Sequence, residues 1–310
     1  MELKYFQRDE FINVVYKLAK KDKKIHFISA DFGAPSLDKF RKDLKDQFTH
    51  IGICEQNAVD FACGLSLEGF KTYVYAMAPF ISTRCLEQHK VSSCLMKLDV
   101  TTIVTGIGLS YANSGPTHYA TEDLACLRSL PNSIIFTASD PICSKLIALG
   151  TKSIKGPKFI RLDRKISSNI KAKLSLKDIF KGFRYLVKNS EKKIAIISHG
   201  TIIDRALKAY EKLDKKSKKN LTIIDLIRCK PFPTRLKKEL NKFEFLITLD
   251  EQTFSGGLFS IISEATYNKK IINFSIPDKF VFENYGREKL LDINGLSVKN
   301  IFNKIKKICK

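Results

Sequence analysis

Ile51-Gly52-Ile53-Cys54-Glu55-Gln56-Asn57-Ala58-Val59 sets one carboxylate, Glu55, just past a short apolar run (50–53) and at the start of an apolar helix. That helix continues through Phe61-Ala62-Cys63-Gly64-Leu65, with glycines at 64 and 69 that allow close packing. Open α/β sheets hold ligands outside the carboxyl ends of their strands, so an acid at a strand-to-helix junction is a candidate ligand contact. The competing reading is structural, since acids are favoured in a first helical turn as capping or dipole partners. Position alone does not separate the two; the neighbouring sequence does.

Outward from this junction, periodicity predicts alternating strands and helices. Strands are expected at 25–30, 71–75, 100–105 and 133–137, and helices at 8–20, 55–68, 80–96, 120–130 and 141–150. The stretch from 165 to 190 is rich in Lys and Ser with weak patterning, which reads as a linker. A second unit then has strands at 193–198, 221–226, 244–249 and 270–274, with helices near 202–214, 255–266 and 296–308. The fold class is therefore α/β, with two doubly wound, mostly parallel-sheet domains at 1–165 and 191–310 joined by a linker at 166–190.

The bulk properties narrow the function. The chain has 310 residues, 44% hydrophobic and 28% charged, enough for two cores and ordinary for a globular protein. No run of eighteen uncharged apolar residues predicts a membrane span, and Met1–Glu10 lacks a signal-peptide core, so a cytoplasmic location is expected. Eight cysteines show no paired metal-ligand spacing and fit a reducing compartment. Cys54 is tempting as a nucleophile, but no base is placed for it. The net charge of +22 comes from scattered lysines without a nucleic-acid module, so nucleic acid is not the expected partner. A basic field does suit phosphorylated substrates or an acidic partner chain.

Downstream of Glu55 come Gly69-Phe70-Lys71-Thr72-Tyr73-Val74-Tyr75, Ala78-Pro79-Phe80, Arg84-Cys85-Leu86-Glu87-Gln88 and Ser114-Gly115-Pro116-Thr117-His118. Glu122-Asp123, Leu127-Arg128-Ser129-Leu130-Pro131-Asn132 and Ala138-Ser139-Asp140-Pro141 follow. In that order the blocks resemble the pyrimidine-binding domain of the thiamine diphosphate-dependent transketolase family. Arg161-Leu162-Asp163-Arg164 looks like the family's domain-closing loop. Ser198-His199-Gly200-Thr201, Asp225-Leu226-Ile227-Arg228-Cys229-Lys230-Pro231 and Asp250-Glu251-Gln252-Thr253-Phe254-Ser255-Gly256-Gly257 look like its C-terminal domain.

The resemblance implies roles. Glu55 matches the glutamate that bonds the cofactor's aminopyrimidine and favours its imino tautomer, the local base. Phe80 matches the aromatic stacked on that ring, against the alternative of an ordinary core phenylalanine. Asp31 resembles an aspartate near the thiazolium side, against a turn or N-cap role. His118, after a tight Gly-Pro turn, matches a histidine that contacts substrate hydroxyls or assists proton transfer. Arg164 resembles the arginine that grips a substrate phosphate, with Arg161 as its substitute. Ser114 stands where typical transketolases carry an acid for a sugar hydroxyl, and Gly106 lies near the register of a family histidine, so donor and acceptor stay open.

Full-length members hold diphosphate and a divalent metal through a "G-D-G" motif followed by Asn about thirty residues later. This sequence has no "G-D-G". The resemblance thus implies the C-terminal half of a split transketolase that moves a two-carbon ketol unit from a ketose to an aldose in carbohydrate metabolism. A separate N-terminal subunit with the GDG…N motif would hold Mg2+ or Ca2+, in a heterotetramer of two plus two chains acting on sugar phosphates. Three alternatives stay open: a split 1-deoxy-D-xylulose-5-phosphate-synthase-like enzyme, a 2-oxoacid dehydrogenase β-subunit-like carboligase, and a noncatalytic partner subunit.

Overall fold

The computed structural model describes residues 5–30, 33–167, 169–191 and 193–309. Asp31 lies outside them. The first sheet contains β1 (Ile25–Ala30), β2 (Phe48–Gly52), β3 (Lys71–Met77), β4 (Val100–Thr105), β5 (Ile134–Thr137) and β6 (Lys158–Leu162), all parallel to their neighbours. The second is built from β7 (Phe183–Val187), β8 (Ile194–Ser198), β9 (Leu221–Leu226), β11 (Phe245–Thr253) and β12 (Lys270–Ile276). Between β9 and β11 in sequence, β10 (Arg228–Lys230) leaves the second unit and pairs antiparallel with β5 at the edge of the first sheet. The orders are β10-β5-β6-β4-β3-β1-β2 and β12-β11-β8-β9-β7. Both sheets are mostly parallel with one antiparallel edge, and the α/β expectation holds.

Both faces of the first sheet are covered, which is why β1, β4 and β6 are buried at every residue. Phe27, Tyr73, Tyr75 and Ile103 point to one face, where α1 (Gln7–Ala19) supplies Phe11 and Val15 and α4 (Pro141–Gly150) supplies Ile147. Their sequence neighbours Ile28, Val74, Ala76 and Val104 point to the other, against Ala58, Val59 and Ala62 of α2 (Glu55–Leu67). The period-2 alternation of strand side chains thus fixes which helix covers which face.

Two expectations need correction. The helix expected over 80–96 is broken into α3 (Ala78–Ser82), a single turn at Leu86–Gln88 and a π-helical stretch at His89–Leu95. The stretch expected as a linker holds structure of its own. Ile166–Ser167 pairs antiparallel with Tyr5–Phe6, a helix at Leu176–Lys181 opens on a Ser175/Asp178 capping box, and β7 pairs antiparallel with β9.

The units are tied by buried charge at Arg161-Leu162-Asp163-Arg164, where β6 ends. Arg287 of the second unit donates to Asp163 (2.8 and 2.7 Å) and to Glu251 (3.1 and 2.7 Å). Asp163 also accepts from Thr201, and Glu251 accepts from the Leu109 backbone amide at 3.1 Å. Gln252 bridges the same boundary through the Asp123 carboxylate and the Leu124 amide. No helix among the described residues is long and apolar enough to cross a membrane.

Candidate active site

Apart from Arg161, which lies within β6, each described candidate residue follows the carboxyl end of a parallel strand of the first sheet, where this architecture places ligands. Glu55 comes three residues after β2 and opens α2, where its charge meets the positive end of the helix. It is only 6% exposed. Phe80 follows β3 on α3, a short helix started by Pro79 at a position where the missing amide hydrogen costs nothing. Two contacts hold that helix from below: Cys85 Sγ donates to the Phe80 carbonyl at 3.3 Å, and His89 Nε2 donates to the Ile81 carbonyl at 2.7 Å.

His118 sits on the loop after β4. Gly115 takes a left-handed φ of +75°, and its carbonyl accepts the amides of His118 (3.0 Å) and Tyr119 (3.2 Å), which curls Gly115-Pro116-Thr117-His118 into a tight turn. The His118 ring lies edge-on to Phe80, with centroids 5.4 Å apart, and 6.2 Å from Tyr111. Arg164, exposed just past β6, lays its guanidinium over Tyr111 at 4.7 Å. Phe80, His118, Tyr111 and Arg164 therefore form one continuous strip of contacting rings ending in a guanidinium. A cavity of 590 Å³ opens at the Arg164 end, lined by Ser110, Lys165, Arg287 and Lys289. A recess of 340 Å³ lies at the other end beside Phe80, Arg84, Thr117 and Glu122.

Gly106 explains part of this strip. Its φ is +88°, and a Cβ there would stand 2.0 Å from Tyr111 Cε2. Glycine at 106 lets the Tyr111 ring fold back under His118 and Arg164, so the place where the resemblance expects a histidine is filled by a tyrosine from five residues on.

His89 is fully buried, edge-on to Phe159, and burial pushes its pKa down to about 4. Its Nε2–H serves the Ile81 carbonyl, and Nδ1 has no partner, so a second proton would be stranded. The unfolded chain binds that proton near pH 6.5 while the folded chain resists it. The stability His89 contributes is therefore present above about pH 6.5 and lost as pH falls towards 4. Urea titrations should show about 2 kcal/mol of His89-dependent loss between pH 7 and pH 5. An equal loss in His89→Gln would refute this origin.

Residues 7–167 match the transketolase pyrimidine-binding domain and residues 184–301 the transketolase C-terminal domain. The chain belongs to the transketolase family. Solved transketolases share its fold: a structure described as a split gene transketolase, inactive beta4 tetramer, superposes with a TM-score of 0.85 at 27% identity, covering 98% of both chains. The transketolase of Campylobacter jejuni gives a TM-score of 0.81 at 18% identity, over 98% of this chain and 47% of its own. Among curated proteins, the 1-deoxy-D-xylulose-5-phosphate synthase of Buchnera aphidicola subsp. Schizaphis graminum is 31% identical over 304 residues, 96% of this chain and 50% of the relative. That of Dictyoglomus thermophilum is 31% identical over 274 residues, 87% of this chain and 44% of the relative. The chain spans about half the length of these curated relatives.

Transketolases and these synthases depend on thiamine diphosphate, and the donor set fits the pyrimidine half of that cofactor. A buried carboxylate beside an aromatic face is what a flat ring with an N–H or ring nitrogen asks for. Among the described residues, no group of three or more His, Cys, Asp or Glu side chains could hold a metal ion.

Arg161 needs correction as a phosphate contact. It is 0% exposed, bidentate to Asp123 (2.7 and 2.8 Å), and donates to Thr137 at 2.9 Å. Its side chain is spent on these buried partners, whereas Arg164 faces the 590 Å³ cavity. Ser114 lies exposed on the His118 loop, its amide bonded to the Tyr111 carbonyl at 2.8 Å. Sequence reasoning gave no role to Tyr111, or to Arg84, whose Nη1 donates to Glu55 Oε2 at 2.9 Å. The signal for Arg84 was present, since in the helix expected over 80–96 residues 80 and 84 would share a face at i,i+4.

Proposed function

We propose that this chain is one subunit of a two-chain, thiamine diphosphate-dependent transketolase that moves a two-carbon ketol unit from a phosphorylated ketose to an aldose. The observation that carries this reading is the likeness to a split transketolase over 98% of both chains, with Phe80 against the His118 ring and linked to Glu55 through Arg84. When bound, the cofactor supplies the electron sink for the carbanion formed beside the donor carbonyl.

The protein's part follows from the residues. Glu55 would hold a proton at the pyrimidine nitrogen, and burial at a helix start keeps water from competing for it. Phe80 would fix the plane of the ring. His118, beside that plane, would hold or move protons at substrate hydroxyls, and Arg164 would take a phosphate at the far end of the strip. The diphosphate and its Mg2+ or Ca2+ would be held by a separate subunit carrying the GDG…N motif, in a heterotetramer, in the cytoplasm.

A second reading has its own support, because the curated relatives above are 1-deoxy-D-xylulose-5-phosphate synthases. Co-expression with a chain carrying the GDG…N motif, followed by a donor screen, separates the two. Ketol transfer from xylulose 5-phosphate, fructose 6-phosphate or hydroxypyruvate supports the transketolase. Product formed from pyruvate with release of carbon dioxide supports the synthase and refutes the first proposal.

A further inference from the structure

Arg84 makes both contacts that the proposed site would offer a cofactor ring. Its Nη1 donates to Glu55 Oε2 at 2.9 Å while its Cζ stands 4.5 Å from the centre of the Phe80 ring. A guanidinium is flat, delocalised and rich in N–H donors, so it can imitate a protonated heteroaromatic against a carboxylate and an aromatic face. We infer that Arg84 is an internal stand-in for the pyrimidine, a gate that fills the seat in the free chain and must swing out before the cofactor enters. This rests on the reading of Glu55 and Phe80 proposed above.

The distribution of exposure says which partner moves. The Glu55 side chain is 7% exposed and fixed at the start of α2, whereas that of Arg84 is 46% exposed. Among the described residues, the one side-chain hydrogen bond made by the Arg84 guanidinium is that to Glu55. The 340 Å³ recess beside it is lined by Thr83, Thr117 and Glu122 as well, so both room and a second carboxylate are at hand for the displaced group. The arrangement also has a reason to exist: a buried carboxylate without a partner is costly, and Arg84 supplies the counter-charge until a ring replaces it.

A seat filled by its own side chain weakens apparent affinity by the fraction of time it stands open. The test is calorimetric titration of the 310-residue chain with thiamine and with 4-amino-5-hydroxymethyl-2-methylpyrimidine, neither of which carries a diphosphate. Arg84→Ala should bind both about tenfold more tightly than the natural chain, with Arg84→Lys between them, because a lysine keeps the charge but not the plane. Glu55→Gln should weaken binding, and Glu55→Gln with Arg84→Ala should lose the gain. Binding by Arg84→Ala no tighter than by the natural chain, or absent, overturns the gate. If Glu55→Gln still weakens binding in that case, the site reading survives without the gate. If Glu55→Gln binds as the natural chain does, the site reading fails and takes the gate with it. Circular dichroism checks each variant, and Arg84→Gln replaces the alanine should that one unfold.

Discussion

Glu55→Gln in the assembled enzyme is expected to fold normally and to lose turnover by about 10²–10⁴-fold, the usual span for a lost acid–base group. The amide keeps the shape and one hydrogen-bond acceptor for Arg84, whose side chain is half-solvated, so little stability is at stake. What disappears is a group able to exchange a proton with the pyrimidine nitrogen. The loss should fall on kcat with KM for the sugar donor nearly unchanged, since Glu55 sits at the Phe80 end of the strip and Arg164 at the other. Steady-state kinetics at saturating cofactor checks this. A variant that keeps near-natural turnover would remove Glu55 from the chemistry.

The second large effect is structural. Arg287→Met leaves the Asp163 and Glu251 carboxylates facing each other across the boundary between the two units without their shared cation. Burial alone would push the Asp163 carboxyl up, but the Arg287 guanidinium outweighs it and holds the group below the ordinary aspartate value. Breaking one side of such a cluster typically costs about 3–5 kcal/mol, so the urea midpoint should drop sharply. Adding Asp163→Asn should recover part of the loss, because one of the stranded charges is then gone. Equal midpoints for natural chain and Arg287→Met would show that the cluster contributes nothing net.

Much of this architecture is legible in sequence because the central strands are strongly patterned. Val100–Thr105 and Ile25–Ala30 lie where their apolar runs put them, and Glu55 begins its helix as expected. The misses have physical causes. The break in the 80–96 segment is enforced by tertiary contacts of Cys85 and His89 with carbonyls of α3, which outweigh a continuous apolar pattern. Strand β7 was hidden because its apolar run is short and broken by Arg184, a buried cation paired with Asp140 and Asp225 that the pattern alone reads as solvent-facing. Arg161 and Arg164 look interchangeable on paper. Because β6 is covered on both faces, the first is locked inside and the second, past the strand end, is free to face a cavity.

The three residues of β10 carry a lesson for anyone cutting this gene. They are contributed by the later half of the chain yet complete the border of the earlier half's sheet, next to β5. A fragment ending near residue 167 would keep every residue proposed for catalysis but expose the unpaired amides and carbonyls of β5 to solvent. Bare strand borders recruit other chains, so such a fragment is built to stick to its own copies rather than to work as an independent module.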